Sequence, residues 1–116
     1  MSLFDALIAG HLAGDFLGQT AWMADNKAAR LGPLAVHSLV YTLAVWAAAL
    51  LAGGLPLWAL PVLFLSHVAL DQRTFVRFWV RRVQGVHRQA DAWLYVVGDQ
   101  AFHVLVLFAI CAIARP

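Results

Sequence analysis

Four apolar runs, residues 2–23, 33–51, 56–70 and 90–114, take up most of this chain, with only short connections between them. Their lengths approach the ~20 residues an α-helix needs to cross the hydrocarbon core of a bilayer. Lipid offers a backbone no hydrogen-bonding partner, so a run of this kind must satisfy its own peptide groups, as a helix does. Membrane β-strands would show segments of about ten residues with alternating polarity, whereas here the Ala, Leu and Val blocks are continuous. Composition agrees: 63% of residues are hydrophobic and 12% charged, against about a quarter charged in soluble domains. The expected fold is all-α, a polytopic membrane protein built as one domain over residues 1–116. Its expected form is an antiparallel four-transmembrane-helix bundle. The first run carries His11 and Asp15 and has no basic flank before it, so it is expected to be retained rather than cleaved as a signal peptide. Cys111 is the single cysteine, which excludes an intrachain disulfide and a cysteine-based zinc site.

The connections orient the runs. Pro33 suits the first turn of the second helix, and Gly53-Gly54-Leu55-Pro56 reads as a tight reversal. The third helix is expected to start near Pro56 and to continue as a basic interfacial extension to Val83, roughly 40 Å at 1.5 Å per residue. Lys27 and Arg30 lie in the first connection, and Arg73, Arg77, Arg81, Arg82 and Arg88 in the third, while the middle reversal carries no charge. Positive connections stay in the cytoplasm, so both termini are expected outside, with Arg115 alone arguing the other way. Arg73, Arg77 and Arg81 recur every fourth residue beside Phe75, Phe78 and Trp79. That is the pattern of an interfacial helix drawn to anionic headgroups, and at minimum a topology anchor. Membrane lipids at the cytoplasmic face are the expected partners, and nucleic acid is not. Trp22, Trp58 and Trp93 sit near run ends, as interfacial anchors do.

Ionisable side chains inside hydrocarbon cost a few kcal/mol each and are rare there without a function, yet every run carries some. The pairs are His11/Asp15, His37/Tyr41, His67/Asp71 and Asp99/His103, with Gln19 and Gln100 beside them. Each pair is four residues apart, which places both side chains on one helix face. In the antiparallel arrangement all four pairs fall at one depth, roughly 5–15 Å from the cytoplasmic boundary at 1.5 Å per residue. Gly10, Gly14 and Gly18 form a small-residue stripe that lets the first helix approach a neighbour closely.

Imidazoles and carboxylates in this number suit a divalent transition metal, zinc foremost, as one ion or two. The expected ligands are His11, Asp15, His37, His67, Asp71, Asp99 and His103. Asp15, Asp71 and Asp99 are candidate general bases, and Tyr41 a candidate proton or hydrogen-bond donor. Gln19, Lys27, Gln100, Arg73 and Arg77 are candidates for holding substrate. The competing reading makes the His–Asp pairs interhelical glue, each worth about a kcal/mol or less.

The segment His11-Leu-Ala-Gly-Asp15-Phe-Leu-Gly-Gln19-Thr-Ala-Trp22-Met23, followed by Asn26-Lys27, resembles the opening of a small bacterial membrane family, domain of unknown function 3307. The segments His37-Ser-Leu-Val-Tyr41, His67-Val-Ala-Leu-Asp71 and Asp99-Gln100-Ala-Phe-His103 are similar to its later pieces. The resemblance implies a bacterial inner-membrane location and brings no activity with it. A looser likeness joins the chain to inner-membrane proteins described as metal-dependent hydrolases. The leading expectation is a metal-dependent hydrolase at the cytoplasmic leaflet, acting on a phosphorylated lipid or lipid-linked group, with bound water deprotonated near neutral pH. Two alternatives stay open. One is a metal-ion or proton transporter or channel, with a homo-oligomer supplying the path that the apolar outer half lacks. The other is a non-enzymatic membrane subunit with a structural metal or polar layer.

Overall fold

The computed structural model describes residues 1–115, and among these the secondary structure is entirely helical. Helix α1 (Leu3–Leu12) begins at Ser2, whose hydroxyl accepts from the Asp5 amide while the Asp5 carboxylate accepts from the Ser2 amide. This reciprocal pair satisfies two of the donors that a helix start leaves open. The chain then widens into a π turn, Ala13–Leu17, closed by the Gly18 amide donating to the Ala13 carbonyl at 2.6 Å. Gly18, Gln19 and Thr20 break the helix, so the first run is not one helix to residue 23. Thr20 instead caps a separate short helix, α2 (Ala21–Asn26).

Helix α3 (Leu31–Leu50) starts two residues before the expected proline, which still falls in its first turn. The reversal after it uses Gly53 and Gly54 at φ of 98° and 85°, a region open to glycine at no steric cost. Helix α4 (Ala59–Asp71) ends at Asp71. The expected extension of this helix to residue 83 does not form, because Arg73 adopts a left-handed conformation at φ 68° and turns the chain. The basic stretch becomes α5 (Thr74–Phe78) and a second π turn, Trp79–Val83. Both fold back on the last helix, with Phe75 and Trp79 meeting Phe102 edge-on at 4.9 and 5.6 Å. A 3₁₀ turn, Gln89–Asp91, leads into α6 (Trp93–Ala114).

Helix α3 packs against α1 on one side and α4 on the other, and α6 lies against both α1 and α4. The α1–α3 contact is close: a Cβ on Gly10 would stand 2.7 Å from the Val45 Cα, and one on Gly14 2.9 Å from the Tyr41 Cα. At this end of the molecule the core is apolar, with Leu3, Leu7, Val45, Leu63, Leu107 and Ile110 buried together. A second cluster, Leu70, Val76, Val80 and Val86, fastens α5 and its π turn to α6.

Two helices are long and apolar enough to cross a membrane: α3, and α6 together with its preceding 3₁₀ turn, at mean hydropathy 1.6 and 2.0. Only 17% of the latter window is buried, so most of its residues lie outside the core of the fold. Helix α4, with 13 residues, spans about 20 Å at 1.5 Å per residue. That falls short of a hydrocarbon core of about 30 Å.

Candidate functional site: a buried histidine–aspartate cluster

The polar side chains of the four runs meet beyond the apolar core, with Asp71 at their centre. From the last turn of α4, its Oδ2 lies 2.9 Å from Lys27 Nζ, 3.1 Å from His37 Nε2 and 3.0 Å from His67 Nε2. Its Oδ1 lies 3.2 Å from His103 Nε2. Asp15, set by the π turn, faces the same point, with Oδ1 3.0 Å from His37 Nε2. His11, Asp15, His37, His67, Asp71 and His103 are all buried.

Two groups of donors result. Asp15, His37, His67 and Asp71 each offer a ligand atom within 4.8 Å of the others, and all four residues are buried. Asp71, Asp99 and His103 form the second group, in which Asp99 is partly exposed. Asp71 belongs to both, so one ion or a pair bridged by this carboxylate has donors.

The ring nitrogens carry the electrostatic argument. His103 Nδ1–H donates to the Asp99 backbone carbonyl at 2.6 Å, and its Nε2 lies 3.2 Å from Asp71 Oδ1, where a protonated ring donates and a neutral ring offers a lone pair to a metal ion. His67 Nε2, His103 Nε2, Asp71 Oδ2 and Asp99 Oδ1 are buried without a hydrogen bond, although several lie within ion-pair distance of one another. Imidazole nitrogens and carboxylate oxygens gathered this closely can be balanced by protons on the rings or by a shared cation. Lys27, 8% exposed, offsets one of the two buried carboxylates and leaves the other to be balanced by a metal ion or by protons on the imidazoles.

The remaining predicted residues take other places. His11 lies outside both donor groups, because both of its ring nitrogens are engaged. Its Nε2–H donates to Gln100 Oε1 at 2.8 Å, and its Nδ1 accepts from the Tyr41 hydroxyl at 3.2 Å. Gln100 Nε2 donates onward to Asp15 Oδ2 at 3.2 Å. Tyr41 and Gln100 thus steady the cluster rather than facing an opening, and Tyr41 also stacks on His67 with ring centroids 3.9 Å apart. Lys27 is ion-paired inside the cluster, not extended toward a bound molecule. Gln19 is half-buried, with its Oε1 unpartnered.

Arg73 and Arg77 line a cavity of about 600 Å³ together with Gln89, Tyr95 and Asp99. The π turn after α5 breaks the four-residue repeat and puts Arg81 on a smaller cavity with His87 and Arg88. Tyr95 and Gln89 were not singled out in the sequence. Tyr95 had a signal, since it stands four residues before Asp99 on α6.

A family model described as protein of unknown function (DUF3307) matches residues 3–115. The chain belongs to this family. No curated protein and no solved structure matches it. The DUF3307 match spans every residue of the cluster, Lys27 and both arginines included.

Proposed function

We propose that this member of the DUF3307 family is an integral membrane metalloprotein, and that it is a metal-dependent hydrolase working at the cytoplasmic leaflet. One observation carries the reading: the orphaned buried nitrogens and oxygens concentrate at two donor groups, and the second of these opens on the cavity through Asp99. A closed four-donor group is the pattern of a structural zinc site, and three donors with an open position that of a catalytic one. A divalent ion held there would supply activated water for hydrolysis near neutral pH. Asp71, Asp99 and His103 would hold that ion, with Asp99 the partly exposed donor facing the cavity, and Asp71 would join the two groups.

In this reading the chain crosses the bacterial inner membrane four times with both termini outside. Helix α1 continued by its π turn, and α4, would be short spans packed on α3 and α6, accommodated by local thinning of the bilayer. Lys27, Arg30 and the arginines from Arg73 to Arg88 support the cytoplasmic assignment of their connections. Arg115 donates from both terminal nitrogens to the carbonyls of Ala52 and Gly54, at 2.6 and 2.8 Å. The C-terminal end of α6 and the α3–α4 reversal therefore lie together, which accounts for a positive charge on that side.

The test is metal content. Purified protein should retain a transition metal, zinc foremost, at about one or two equivalents per chain given this donor supply. His67→Ala or Asp71→Ala should remove most of it. Chelation should lower the melting temperature of the wild type and hardly that of either variant. Asp99→Asn should keep the metal of the four-donor group and lose hydrolysis. Metal-free wild-type protein whose stability ignores added metal would sink the reading. The Lys27–Asp71 contact favours a second reading for that case, a polar layer balanced by lysine and protonated imidazole, serving as a proton site or as interhelical glue.

A further inference from the structure

We infer that the cavity beside Asp99 is a subsite for the phosphate group of an amphiphile, gripped by Arg73 and Arg77 and aimed at the second donor group. This rests on the hydrolase reading for its consequence, though not for its binding chemistry. Arg73 stands at the turn that ends α4 and Arg77 one turn later on α5, and both line the cavity of about 600 Å³. Neither makes a salt bridge to a carboxylate among the described residues, whereas Arg88 pairs with Asp91. Guanidinium groups are forks that match phosphate oxygens two at a time, and two of them balance a doubly charged phosphate monoester where a single carboxylate would need only one. Tyr95 and Gln89 add hydrogen-bonding side chains to the same wall.

The rest of the lining specifies the other half of the ligand. Val76 and Val96 form an apolar wall, and Val96 and Trp93 expose 65% and 59% of their surface on the adjoining face of α6. A phosphate held by the arginines can therefore extend an apolar chain along α6. Asp99 lies in the cavity and in the second donor group at once, so the phosphate would sit next to the groups proposed to act on it. Arg81 and Arg82 do not line this cavity, which separates a built subsite from general attraction to an anionic surface.

The experiment measures binding of dihexanoyl phosphatidic acid, dihexanoyl phosphatidylcholine and inorganic phosphate to the detergent-solubilised chain, in buffer containing chelator. Phosphatidic acid should bind and phosphatidylcholine should not. The R73Q/R77Q variant should weaken binding at least about tenfold, equivalent to about 1.4 kcal/mol, while R81Q/R82Q, with the same change in charge, should leave it unaltered. R73K/R77K keeps the charge without the forks and should fall between wild type and R73Q/R77Q, which covers the case of a poorly folded glutamine variant. Binding of inorganic phosphate as tight as that of phosphatidic acid, and lost in the same variant, would assign the site to free phosphate by the same chemistry. Equal losses in the two double variants, or no binding of either phosphate probe, would overturn the subsite. Metal content is read separately on protein purified without chelator, so a chain that is metal-free there yet binds phosphatidic acid would fail the hydrolase reading while keeping this one.

Discussion

Asp71 draws together groups from four separate stretches of chain: Lys27 after α2, His37 on α3, His67 on its own helix and His103 on α6. Of the four pairs spaced by four residues, only His67/Asp71 and Asp99/His103 touch within the pair, at 3.0 and 3.6 Å. His11 and Tyr41 find each other across helices instead. The spacing established which residues share a face, but helix packing chose their partners. Lys27 shows the limit most plainly, because nothing in a connection says that its ammonium will enter a buried cluster. Removing it should leave Asp71 short of a counter-charge, a kind of loss that costs about 3–5 kcal/mol in buried pairs. Lys27→Met is therefore expected to lower the melting temperature in chelator and to regain much of it with added zinc, as read by thermal unfolding in detergent. A loss that metal does not repair would mean that Lys27 only packs.

Among the elements, the irregular ones position the chemistry. The π turn of residues 13–17 carries Asp15, and π turns recur at functional sites because they re-aim side chains. The left-handed Arg73 turns the chain two residues after Asp71 ends α4 and starts the segment that lines the cavity. Neither feature shows in an apolar pattern, since periodicity reports faces and is blind to one added residue per turn. The glycine stripe was legible, as small residues permit backbone contact. A methyl group on Gly14 would meet the α3 backbone at Tyr41, which cannot retreat like a flexible side chain. Gly14→Ala is therefore expected to destabilise by about 1–3 kcal/mol and to weaken metal retention through Asp15. Gly32→Ala, with nothing within 4 Å, should change neither. Equal melting temperatures for the two variants would contradict the packing argument.

The whole molecule is divided along its helices, with an apolar core at one end and the cluster at the other. The proposed topology makes that division a matter of membrane depth. Reporter fusions at the C-terminus and within residues 53–55 are expected to report the outside, and fusions near Arg30 and Gln84 the cytoplasm. A cytoplasmic C-terminus would invert the proposed placement of the cluster. The sequence alone was enough for the helical class, for family membership and for the pool of imidazoles and carboxylates from which the two donor groups are drawn, because hydrophobic runs and residue spacing are local properties. Tertiary structure decided that His11 serves Tyr41 and Gln100, that Lys27 enters the cluster and that Arg77, not Arg81, joins Arg73 at the cavity. Those outcomes depend on where one helix stops and which neighbour it meets, and contacts between distant residues settle both.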